Sequence, residues 1–134
     1  MFEADINLWA VLAAATAYFL VGALWYMVLF AKPWMEAAGM TKEDTDEGGG
    51  SAYLMSFILF LLLSYVLAHI LVSLGVATLA ESIATGIWLW VGFVATTMTV
   101  NFLYSGKSRK LLVIDATYHL AGILAAAATL HFWL

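Results

Sequence analysis

The chain has 134 residues, of which 65% are hydrophobic and 10% charged, with a formal charge of −4 and a mean hydropathy of +0.98. A soluble domain carries about 25% charged residues, so too few remain here to clothe a surface in water. The absence of cysteine excludes disulfides, thiolate metal sites and thiol redox chemistry, and five basic residues with no basic helix face exclude a nucleic-acid partner.

In chain order, Met1-Phe2-Glu3-Ala4-Asp5 lacks a positive n-region. The apolar run behind it is too long for an h-region, so the first helix is expected to stay rather than be cleaved as a signal. Asn7 is placed to cap a helix over 8–31. Pro33 ends that helix or opens a short one in the headgroups, anchored by Trp34. The stretch 42–51, acidic and ending in Gly48-Gly49-Gly50-Ser51, reads as a flexible connector. Further apolar blocks run over 52–74, closed by Gly75, over 83–103, closed by Ser105-Gly106, and over 111–133. At 1.5 Å per residue, blocks of roughly 20–24 residues match a hydrocarbon core of about 30 Å. Spanning strands are excluded because they require a closed barrel of shorter, alternating segments. The second half does not read as a tandem copy of the first. The expected fold is all-α and integral to the membrane, with four transmembrane helices in one antiparallel up-down bundle forming a single domain.

The charges predict the orientation. Lys32 and Lys42 lie in the first loop and Lys107, Arg109 and Lys110 in the third, whereas the opposite side has only Glu3, Asp5 and Glu81. Five of the nine acids, Glu36 through Glu47, also fall in the first loop, so net charge is a poor guide. The positive-inside rule places both termini away from the cytoplasm of a bacterial inner membrane.

Between helices in lipid, small residues permit close backbone approach. The expected inward stripes are Asp115, His119, Gly122, Ala126, Thr129 and Trp133 on the fourth helix, Gly92, Thr96 and Thr99 on the third, and Ala15, Gly22 and Tyr26 on the first. Aromatic residues near the helix ends (Trp9, Trp25, Tyr26, Trp34, Tyr53, Trp88, Trp90, Tyr104, Phe132 and Trp133) read as interfacial belts.

Asp115 is the lone acid inside a predicted helix, with His119 one turn deeper at i+4. Asn101 is expected at similar depth, with Tyr26, Tyr53, Ser56 and Tyr118 in the same layer. A membrane-embedded acid marks a functional position or an interhelical clamp. Asp115 is alternatively shallow enough to pair with Lys107, Arg109 or Lys110. Histidine beside aspartate also suits a proton-handling site. His69 reads as a buried, hydrogen-bonded side chain and His131 as solvated. There is no metal-ligand set, nucleophile–base arrangement, phosphate loop or dinucleotide fingerprint, so no cofactor and no enzymatic activity is expected.

Gly22-Ala23-Leu24-Trp25-Tyr26, Lys32-Pro33-Trp34-Met35, Trp90 through Thr97, Asn101 and Ile114 through Leu120 together resemble the motifs of a bacterial membrane family known as domain of unknown function 1761. The likeness runs nearly end to end, apart from the acidic loop. It implies a four-helix membrane domain, supplies no activity, and favours Trp25, Tyr26, Asn101, Tyr118 and His119 as site residues. The leading expectation is a non-enzymatic inner-membrane protein whose partners are the lipid bilayer and either further copies of itself or a larger complex. Its rivals are a small proton-linked transporter or channel using Asp115 and His119, and a carrier of lipid or another apolar ligand around Trp25 and Tyr26.

Overall fold

The computed structural model describes residues 5–41 and 49–133, and every regular element among them is helical. Asn7 caps helix α1, Leu8–Leu24, by accepting the Trp9 amide at 3.0 Å, which satisfies one of the donors a helix start leaves free. The helix passes directly into a π turn, Trp25–Leu29, where the Phe30 amide reaches back to the Trp25 carbonyl at 2.8 Å. Helix α2, Ala31–Ala38, follows. Pro33 sits in its first turn, where a missing N–H forfeits no helical bond. Gly39 ends α2 at φ +68°, a left-handed conformation that residues with a Cβ seldom adopt.

Helix α3 is Gly49–Ser73. A capping box opens helix α4, Leu79–Leu89: the Glu81 amide donates to the Thr78 hydroxyl at 3.2 Å, and the Glu81 carboxylate accepts the Thr78 amide at 3.1 Å. Helix α4 continues through a second π turn, Trp90–Ala95, into helix α5, Thr96–Ser105, and helix α6 is Arg109–Trp133. Four continuous stretches, Leu8–Leu29, Gly49–Ser73, Leu79–Ser105 and Arg109–Trp133, are long and apolar enough to cross a membrane.

The third stretch begins at 79 rather than 83 because the Thr78–Glu81 box supplies its start. Gly49, Gly50 and Ser51 are helical rather than part of a linker. The rest of the acidic connector, 42–48, and residues 1–4 lie outside the described residues.

The spans are arranged in the order second, first, fourth, third. Helix α1 packs most extensively on α6, α3 lies mainly against α1, and α4 lies against α6. Fully buried alanines lie at these contacts, Ala10, Ala14 and Ala15 on α1 and Ala126 and Ala127 on α6, Ala127 being beside Gly86 of α4. With no hydrophobic drive between helices in lipid, such small residues allow the backbone approach on which dispersion contacts depend.

The third span corrects one expectation. Gly92, Thr96 and Thr99 do not face inward but are exposed, as is Thr97. A Cβ on Gly92 would meet nothing within 4 Å. The physical reason is local satisfaction: the hydroxyls of Thr96, Thr97 and Thr99 donate to the carbonyls of Gly92, Phe93 and Ala95 at 2.8, 2.5 and 2.7 Å. Hydroxyls bonded to their own helix do not require a neighbouring one.

Candidate functional site

Asp115 is the centre of the polar cluster. It lies in the second turn of α6, roughly 9 Å along the axis from Arg109 at 1.5 Å per residue. Its Oδ1 accepts the Tyr26 hydroxyl at 2.6 Å and the Trp34 indole N–H at 3.2 Å. One carboxylate oxygen thus ties three elements together: the first π turn, the short helix α2 and the fourth span. Asp115 makes no ion pair among the described residues, so Lys107, Arg109 and Lys110 do not neutralise it in this conformation. The Tyr26 and Trp34 rings meet edge-on at 5.6 Å, which fixes both donors.

One turn deeper, the Nδ1 of His119 pairs with the Tyr18 hydroxyl at 2.5 Å. Tyr18 is fully buried, stacked on Phe60 of α3 at 4.2 Å and edge-on to Tyr118 at 5.6 Å. The room for these rings comes from two glycines. A Cβ on Gly122 would lie 2.5 Å from the Tyr18 ring, and one on Gly22 would lie 2.9 Å from the Tyr118 hydroxyl oxygen. Each helix therefore presents a tyrosine and, one turn on, the glycine that receives the tyrosine of the other. Partner numbers on α6 fall as those on α1 rise (Tyr18 with Gly122, Gly22 with Tyr118, Tyr26 with Asp115), so this pair of helices runs in opposite directions.

Two tryptophans hold the turn of α6 that carries Asp115. The Trp25 indole donates to the Ile114 carbonyl at 3.0 Å and the Trp90 indole to the Ala116 carbonyl at 2.9 Å. Both residues open π turns, one in the first span and one in the third. A π turn is rare and often marks a functional position; here each coincides with an indole fastened to the same stretch of α6. Replacing either tryptophan with phenylalanine, which keeps the ring but not the N–H, is expected to lower stability by about 0.5–1.5 kcal/mol. Unfolding in mixed micelles, compared with Trp88→Phe at an exposed site, checks this. Equal effects at all three positions would contradict it.

A family model described as "Protein of unknown function (DUF1761)" matches residues 9–131. The chain belongs to this family. No curated protein and no solved structure gives a match. The DUF1761 match takes in every residue of the polar cluster, from Tyr18 to Gly122.

Of the residues singled out in the DUF1761 sequence, Asp115, His119, Tyr26, Trp25 and Tyr118 come together around the α1–α6 crossing. Asn101 does not. It is exposed on α5 and makes no side-chain hydrogen bond among the described residues. The third span reaches α6 mainly through α4 and the second π turn, which leaves Asn101 beyond the contact. Tyr53, also assigned to this layer, is exposed and touches Phe19 edge-on at 6.3 Å. His69 packs edge-on against Tyr65 at 4.6 Å, but its Nδ1 is buried without a partner among the described residues, so it is not the hydrogen-bonded histidine expected. His131 is half-buried beside Phe132 rather than solvated. No group of three metal-ligating side chains forms among the described residues.

Trp34, Trp90 and Tyr18 are the members that sequence reasoning missed. Trp34 and Trp90 read as belt residues, yet both turn their N–H groups onto α6, whereas Trp9, Trp88 and Tyr104 do face outward. The signal for Tyr18 was present. Tyr18-Phe19-Leu20-Val21-Gly22 and Tyr118-His119-Leu120-Ala121-Gly122 share one Tyr-x-Leu-x-Gly pattern, too short to register as a tandem repeat.

Proposed function

We propose that the protein is a non-enzymatic, homo-oligomeric subunit of an inner membrane, its four spans forming an antiparallel up-down bundle with both termini away from the cytoplasm. The third span carries this reading. Only 6% of its most apolar window is buried, against 22%, 22% and 33% for the other three. Its outward residues include Gly92, which leaves room for close approach, and Asn101, whose amide has no partner among the described residues. An amide facing hydrocarbon favours a partner on another helix. A second copy related by a twofold axis offers the same residues in return. Lys32, Lys107, Arg109 and Lys110 at one end, against Asp5 and Glu81 at the other, support the orientation.

Native mass spectrometry in mild detergent tests the proposal. The wild type is expected as a dimer or larger assembly. Asn101→Leu is expected to weaken association roughly threefold to thirtyfold, the range of about 0.6–2 kcal/mol for an interhelical hydrogen bond. A strictly monomeric wild type would overturn it. The second reading, a proton-linked transporter or channel, rests on Asp115, a membrane-depth carboxylate that has hydrogen-bond donors but no cation partner among the described residues.

A further inference from the structure

We infer that the junction between α2 and the start of α6 is a binding site for an anionic phospholipid. A groove of about 400 Å³ opens there, lined by Phe30, Pro33, Val113 and Ile114 together with Arg109 and Lys110. Its lining is almost entirely apolar although two of its six residues are cationic. The aliphatic stems of Arg109 and Lys110 therefore form part of the wall, and long basic side chains in that position carry their charges to the aqueous edge. Neither makes an ion pair among the described residues.

Depth and charge together select the occupant. Val113 lies about 6 Å along the helix axis from Arg109, so the groove descends from headgroup level to the top of the hydrocarbon. A phosphate at the rim meets two uncompensated cations, while an acyl chain meets the apolar side chains below. Basic pockets between helices on the cytoplasmic side are suited to anionic headgroups. A soluble anion would gain nothing from the apolar floor, and a neutral lipid would leave both cations without a partner. The groove also borders the polar cluster, because Ile114 gives its carbonyl to Trp25, and Pro33 and Ile114 immediately precede the hydrogen-bonded Trp34 and Asp115. A resident lipid would brace α2 against α6 at the point where the Trp34–Asp115 bond joins them. This site rests on the proposed membrane orientation but not on the oligomeric reading.

The test is reconstitution in vesicles of equimolar phosphatidylcholine and phosphatidylglycerol, extraction in mild detergent, and quantification of lipid retained per protein. Phosphatidylglycerol is expected to be enriched over phosphatidylcholine. Arg109→Gln and Lys110→Gln together should reduce that enrichment, by roughly fivefold for each base while any remains. Val113→Trp, which fills the groove from a position that is 59% exposed, should lower total retained lipid with both bases in place. Equal retention of the two lipids by the wild type overturns the proposal. So does an equal loss of enrichment in a Lys32→Gln, Lys107→Gln variant, whose bases lie outside the groove, and so does displacement of the lipid by inorganic phosphate.

Discussion

Gly122→Ala is expected to destabilise the protein by about 1–3 kcal/mol, even though alanine is the better helix former by about 0.8–1.0 kcal/mol. The new methyl would lie 2.5 Å from the Tyr18 ring, and that ring has little freedom to yield. It is fully buried, stacked on Phe60, and bonded through its hydroxyl to His119. Moving it disturbs all of these contacts at once. Two other glycines calibrate the expectation. At Gly22 the obstacle is the hydroxyl end of Tyr118, which makes no hydrogen bond among the described residues, so Gly22→Ala should have a smaller effect. At Gly92 a Cβ meets open space, so Gly92→Ala should be neutral or stabilising for the isolated chain. Unfolding in mixed micelles, with oligomeric state recorded for each variant, gives the comparison. A Gly122→Ala protein as stable as Gly92→Ala would refute the reciprocal tyrosine–glycine crossing.

The second large effect is expected at Asp115. Asp115→Ala strands both the Tyr26 hydroxyl and the Trp34 N–H, at roughly 1–3 kcal/mol for each donor left unsatisfied. Asp115→Asn keeps an acceptor in place and should fall within about 1 kcal/mol of the wild type. The alanine variant should also release α2, since Trp34 is its polar tie to α6. A cysteine at Glu36, which is exposed on α2, reports this through its labelling rate with a soluble maleimide. Faster labelling in Asp115→Ala than in Asp115→Asn is the expected result. Should Asp115→Asn match the wild type in stability and yet abolish a pH-dependent flux in proteoliposomes, the carboxylate would be a proton site and the clamp would be secondary.

Much of this architecture was legible because hydropathy is a coarse signal that survives local detail. The lone acid at Asp115, with His119 beside it, stood out for the same reason: a charge in an apolar run is conspicuous. The errors share one physical origin. A tryptophan near a helix end has the same composition whether its indole faces headgroups or a carbonyl on the next helix, so Trp34 and Trp90 were indistinguishable from Trp9 and Trp88. Asn101 was placed by depth alone, and depth does not fix the azimuth of a helix that has one principal neighbour. Thr78 and Glu81 form a recognisable start signal, hidden because Gly75 together with Thr78, Glu81 and Ser82 interrupts the apolar run and moves the apparent start of the third block to 83. The π turns leave no trace in composition.

Those turns bear on how tolerant the chain is to changes in length. Each closes its backbone ring across one residue more than the usual helical turn, so each acts as a single-residue insertion absorbed inside a span. Deleting one residue between Trp25 and Leu29 would restore an ordinary winding and leave the helix beyond it close to its present phase, because the wide turn already takes up the extra residue. Deleting one residue from the regular winding of α1 instead would rotate everything on one side of the cut by about 100°, the angle of one residue at 3.6 per turn. The same contrast holds for the third span, between a deletion in Trp90–Ala95 and one in α4. The two π turns are therefore the places in these spans where the chain can lose a residue with least effect on which side of the helix its neighbours face.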